Sequence, residues 1–193
     1  MATQVNKEVI TRLGEYKGVS ILKKAAMNML VKMVDREKIR DLKQQFAEVD
    51  KDNTGEISAE ELKQAIKQAD LHMTSDQIEQ IISEVDYFGN HKINYSEFLA
   101  ATLDVKAFLN DDKLNAIFSQ FDTDNSGFIS RENIVTALTK MGHEITQFEL
   151  DEAMKKHDLV KDGVISKDEF KALFLDTSDL TFAHNYILSP SPQ

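Results

Sequence analysis

The chain contains no cysteine and no tryptophan, and its two prolines, Pro190 and Pro192, stand among the last four residues. Without cysteine there can be no disulfide, no zinc–thiolate site and no cysteine nucleophile. Without proline before residue 190, nothing in the body of the chain forces a helix to kink or stop. No run approaches the roughly eighteen apolar residues that a membrane span requires. The opening MATQVNKE has no apolar core, so it does not read as a secretory signal, and Ala2 stands where myristoylation needs glycine. These absences lead to the expectation of a cytoplasmic protein with no transmembrane segment, any membrane association being left to a segment further upstream.

What is present is enough for one sizeable domain or two small lobes: 193 residues, 41% apolar and 29% charged. Seven methionines are a modest enrichment in the soft residue of adaptable surfaces. The net charge of −10 is unevenly spread. Residues 1–43 hold ten Lys or Arg against five Asp or Glu, a balance of +5, which leaves −15 on the rest. An acidic body argues against nucleic acid as its partner and suits cations, or something basic that can belong to the same chain.

Four segments repeat at a constant offset of 36 residues: DKDNTGEISAEE from Asp50, DYFGNHKINYSE from Asp86, DTDNSGFISREN from Asp122 and DLVKDGVISKDE from Asp158. Each has isoleucine at its eighth position (Ile57, Ile93, Ile129, Ile165), and three have glycine at the sixth (Gly55, Gly127, Gly163). Apolar residues flank every copy at helical spacing, as in Leu42, Phe46 and Val49 before the first and Leu62 and Ile66 after it. Each unit therefore reads as helix, twelve-residue loop, helix, with one apolar face per helix.

The first copy fits the EF-hand calcium loop at every ligand position. Calcium is a hard cation that takes six to eight oxygens. Asp50, Asp52 and Thr54 offer side-chain oxygens from positions one, three and five, and Glu56 offers its carbonyl from seven. Ser58 stands at nine, and Glu61 at twelve can grip with two oxygens. The third copy keeps Asp122, Asp124, Ser126 and the carbonyl of Phe128, but ends in Asn133, a single amide oxygen in place of a bidentate carboxylate. The fourth keeps Asp158, Asp162, the carbonyl of Val164, Ser166 and Glu169, and loses position three to Val160. The second retains Asp86, Asn90, the carbonyl of Lys92 and Glu97, but has Phe88 at three and His91 at six, so it reads as weak or empty. The expected order of affinity is first, fourth, third, second. The five histidines form no metal-ligand cluster and read as surface or packing residues.

Ahead of the first loop, Val19 to Val34 reads as a basic amphipathic helix. Leu22, Ala26, Met29, Leu30 and Met33 fall on one face as candidate anchors, with Lys23, Lys24 and Lys32 around them. Such a helix suits a membrane surface, a calmodulin-like groove or plain packing on the first unit.

KGVSILKKAAMNMLVKMV, followed by four EF-hands and by EFLAATLD (Glu97–Asp104), resembles the regulatory end of the calcium-dependent protein kinases of plants and apicomplexan parasites. The resemblance implies an all-α fold: four EF-hand helix-loop-helix units in two lobes, 44–106 and 107–175. A basic junction arm, 1–43, with a long amphipathic helix precedes them, short β-bridges join paired loops, and a tail occupies 176–193. It implies calcium as cofactor, and an attached Ser/Thr kinase domain and the chain's own junction helix as partners. Calcium-triggered capture of that helix would relieve autoinhibition. The chain itself has no Gly-rich nucleotide loop, no His-Arg-Asp loop and no Asp-Phe-Gly, Asp86-Tyr87-Phe88-Gly89 being part of a repeat loop, so no catalysis is expected of it. Two other readings stay open here: a stand-alone adaptor that binds a partner protein's helix, and a calcium buffer.

Overall fold

A computed structural model describes residues 5–175; the tail, 176–193, lies outside them. Two helices, α1 (Lys7–Glu15) and α2 (Ile21–Lys32), precede the repeats. A 3-10 turn (Arg36–Ile39) leads into α3 (Arg40–Val49). The first two loops lie between α3 and α4 (Ala59–Gln68) and between α5 (Ser75–Val85) and α6 (Tyr95–Thr102). After the short α7 (Val105–Phe108), the third lies between α8 (Asp111–Phe121) and α9 (Arg131–Lys140). The fourth lies between α10 (Gln147–His157) and α11 (Lys167–Ala172). The fold is all-α, as the repeat requires.

Each outgoing helix starts where its loop supplies a cap. Ser58, Asn94, Ser130 and Ser166 are the N-caps of α4, α6, α9 and α11, and each forms a capping box with the residue three places on. Ligand positions nine and twelve are thus also N-cap and third helical residue, and one short sequence both ends the loop and begins the helix. The eighth-position isoleucines pair the loops. β1 (Glu56–Ile57) and β2 (Ile93–Asn94) are antiparallel with Ile57 opposite Ile93, and Ile129 bridges Ile165. All four isoleucines are fully buried.

The chain divides into two compact units. Among the described residues, the first takes 5–19 together with Leu30–Asp104, and the second takes Ser20–Met29 with 105–175. In the first, Phe46 stacks edge-on against Phe98 and Tyr95, with ring centroids 5.3 and 5.2 Å apart. In the second, Phe170 is the hub, its ring 5.6 Å from those of Phe118 and Phe121 and 5.7 Å from that of Phe174. Among the described residues no helix is long and apolar enough to cross a membrane.

The arm differs from its reading in the sequence. Its first helix, α1, was not expected, and it packs on α4, α5 and α6 of the first unit. Val9, Ile10 and Leu13 are buried along one side of it. A nine-residue helix is marginal in water, whereas burying each such side chain is worth about 1.5–3 kcal/mol, so packing rather than propensity holds α1. The second helix is shorter than Val19–Val34 and is not one-faced. Leu22, Ala26 and Leu30 are buried and Met29 is half-buried, but so are Ala25, Met27 and Val31 buried. Met33 lies past the helix end and is 37% exposed, so it is no anchor here.

Replacing Phe170 with Ala removes the ring on which three others converge. It should destabilise the second unit by about 3–5 kcal/mol, measured by urea unfolding in chelator; a loss below about 1 kcal/mol would show that this cluster is not the unit's core.

Candidate metal centre

The backbone of each loop is wrapped around its first aspartate. In the first loop Asp50 accepts from the amides of Thr54 (3.0 Å) and Gly55 (2.9 Å). Asp122 accepts from Ser126 and Gly127, both at 2.9 Å, and Asp158 from Asp162 (3.1 Å) and Gly163 (2.9 Å). Asp86 does the same with Gly89 (2.7 Å) and His91 (2.8 Å). The wrapping needs positive φ at positions four and six, where left-handed backbone suits Gly, Asn and His better than most residues. Loop two meets the need in reverse order, with Gly89 at four (φ 77°) and His91 at six (φ 58°).

Closure comes from position twelve. Glu61 accepts from the amides of Lys51 (3.0 Å) and Asp52 (3.3 Å) with one oxygen, and from the amide (2.9 Å) and hydroxyl (2.7 Å) of Ser58 with the other. Glu97 takes the same pose on Tyr87 (2.7 Å), Phe88 (3.0 Å) and Asn94 (2.7 Å), and Glu169 on Leu159 (2.8 Å), Val160 (3.0 Å) and Ser166 (2.8 Å). Asn133 is one methylene short of this reach. Its oxygen is spent on the Ser130 amide (3.0 Å), and its amide nitrogen donates to Thr123 Oγ1 (2.9 Å). The third loop is therefore closed by a donor. Asn133 was expected as an oxygen ligand, and here it offers the loop a nitrogen.

Only the first loop gathers three carboxylates: among the described residues, Asp50, Asp52 and Glu61 alone bring three ligand oxygens within 4.8 Å of one another. Thr54 Oγ1 lies 3.1 Å from the carbonyl oxygen of Glu56, so positions five and seven present their oxygens side by side. In loop three Ser126 Oγ stands likewise 3.1 Å from the Phe128 carbonyl. Hydrogen bonds from Thr54 hold Asp52 below the usual carboxylate range, and those from Ser126 do so for Asp124. The first-loop set, anionic and all-oxygen, fits a hard dication such as calcium. The fourth loop has Val160 where the first has Asp52, and Asp158, Asp162 and Glu169 do not converge to the same distance.

Loop two is committed elsewhere. Phe88 is 60% exposed and offers no oxygen, and burial raises the carboxyl of Glu97 above its ordinary range. Asn90 and Lys92 reach across to Glu56, at 2.7 and 3.2 Å, so the second loop braces the first. Lys92 was singled out for its carbonyl; the structure adds a role for its ammonium.

One contact of the arm was missed because no periodicity marks it. Ser20 Oγ accepts from the Lys23 amide (3.1 Å) and pairs with Nε2 of His157 (2.6 Å), the residue before Asp158. Burial, then the charges of Lys23 and Lys156, push the His157 imidazole down to about 4.

Two outcomes are expected. Glu61→Gln should lower calcium affinity by ten-fold or more, whereas Asn133→Gln should change it little, and Asn133→Glu should strengthen the third loop; titration calorimetry checks all three, and equal losses from the first two would refute the ranking. His157 is neutral when folded while the unfolded chain protonates it near 6.5, so stability falls as pH drops from about 6.5 towards 4. In chelator, His157→Gln should flatten the fall in melting temperature across that window; an unchanged slope would remove His157 from the account.

The chain matches the EF-hand domain pair family over residues 39–103 and 111–175. It is 32% identical over 171 residues to calcium-dependent protein kinase 33 of Arabidopsis thaliana, covering 88% of this chain and 32% of that protein. It is 33% identical over 171 residues to calcium-dependent protein kinase 2 of Zea mays, covering 88% and 33%. The chain thus spans about a third of the length of these relatives.

Proposed function

The chain belongs to the EF-hand domain pair family, and from that premise we propose that it is the calcium sensor of a Ser/Thr protein kinase, acting on the kinase through its own arm. In this reading 1–43 is the arm, 44–106 and 107–175 are the calcium-binding lobes, and the attached kinase is cytoplasmic. The kinship with calcium-dependent protein kinases supports the attachment, and the absence of kinase motifs from the sequence supports a purely regulatory role.

The observation that carries the reading is the start of α2. Its first turn is held by Ser20 on His157, and His157 is followed directly by Asp158, the first residue of the fourth loop. A change in that loop has one peptide bond to travel before it reaches the arm. Bound calcium would supply a dication that gathers loop oxygens into one coordination shell. Glu61 and Glu169 lie in the first turns of α4 and α11, so any shift of these carboxylates relative to their first aspartates turns the outgoing helices. Reorientation of this kind changes the apolar surface offered to a helix. The arm's Lys23, Lys24 and Lys32 match an acidic body electrostatically. Held by the lobes, α2 is withdrawn from the kinase; released, it is free to block it.

In a protein that carries this chain behind a kinase domain, Glu61→Gln should cut calcium-stimulated phosphoryl transfer at sub-saturating calcium by about ten-fold, in line with the weaker ligand set. Full activation at unchanged calcium would contradict the sensor reading.

A further inference from the structure

The most exposed large apolar side chain among the described residues is Phe148, at 73%, in the first turn of α10, and Val135 of α9 is 38% exposed. The two share a face. Arg131, one turn before Val135, pairs with Asp151, one turn after Phe148, and Gln147 Nε2 donates to the same carboxylate (3.0 Å). On each helix the apolar residue lies on the linker side of that ion pair, and in the linker itself, 141–146, Met141 and Ile145 are half-buried. The fold does not require an apolar surface here. Two periods of 36 earlier, the first unit has Lys63 and Asp76 at the matching positions, both exposed. None of these residues belongs to a loop, so the face is separate from the metal centre.

What covers such a face has to be small and close at hand. Burying one phenylalanine removes about 150–250 Å² from water, whereas a stable complex of separate chains buries about 800 Å² per partner. A segment tethered to the same unit needs far less, because a short linker sets an effective concentration in the millimolar range. Glu144 and Glu149 border the face, which tells against an anionic lipid surface. The chain's own tail meets these terms. It follows α11, which packs on α10. Helix α10 runs into loop four and α11 runs out of it, so the end of α11 and the first turn of α10 both lie away from the loop. The two helices are about 16 and 9 Å long, and residues 176–188, extended, span up to about 45 Å. Within them LTFAHNYIL holds Leu180, Phe182, Tyr186, Ile187 and Leu188, and the tail has no Lys or Arg.

We propose that residues 180–188 dock over Phe148 and Val135 as an intramolecular latch on the α9–α10 face of the second unit. The contact needs neither bound calcium nor a kinase, so it stands or falls apart from the function proposed above.

Amide hydrogen exchange on the full 193-residue chain in chelator tests it, with 180–188 compared against a synthetic peptide of the same residues. Those amides should exchange about five-fold or more slowly in the chain than in the peptide, as for any locally docked segment. In Phe148→Asp they should return to the peptide's rate. An acidic residue in the first turn favours a helix, so α10 should survive the change. Should Phe148→Asp nevertheless lose helical circular dichroism, Val135→Asp on the other helix decides in its place. Exchange at the peptide's rate in the unaltered chain overturns the proposal, and so does protection that the deciding variant leaves unchanged. Protection that rises with protein concentration gives the face to a second copy of the chain and overturns it as well.

Discussion

In each loop the twelfth side chain completes the capping box of a helix, and in three of the four it closes a ring of backbone amides at the same time. Glutamate reaches both, one oxygen on the N-cap amide and the other on the amides of positions two and three. That places an anionic group beside the first aspartate and joins the loop's interior to the direction of the outgoing helix. Because the cap and the closure are one residue, a change in the loop is a change in a helix. Asn133 shows the dependence by failing it: it completes the capping box with Ser130, and what it turns to the loop is a nitrogen.

The same constraint explains why the first loop stands apart. Its three carboxylates converge, its hydroxyl and carbonyl lie together, and its neighbour Glu56 is braced by Asn90 and Lys92 of loop two. A loop with Phe88 in place of a ligand thus still contributes: it closes the β-pair and fixes its partner. Pairing of Ile57 with Ile93 joins the first loop to the second within one unit.

Much of this could be read from the residues alone. The period of 36 located all four loops, and the eighth-position isoleucines announced the bridges. The limits of the reading were steric. Whether an asparagine turns its oxygen or its nitrogen inward is decided by one methylene and by Thr123 beside it. The anchors expected on α2 presuppose a single apolar face, but Ala25, Met27 and Val31 are buried as well, and the helix ends before Met33. Helix α1 is only nine residues long and contains Gly14, so although Val9, Ile10 and Leu13 share one side, the segment is marginal as a helix until it packs on α4, α5 and α6. His157 looked like any scattered histidine until Ser20 was placed against it.

The central claim is that occupancy of the loops is transmitted to the arm. Amide hydrogen exchange on the whole chain, with saturating calcium and with chelator, tests it most directly. The account requires Asp50–Glu61 to gain protection and Ile21–Lys32 to change its exchange in the same comparison. Protection of the loops with no change in Ile21–Lys32 would mean that calcium is held without being transmitted, and would contradict it.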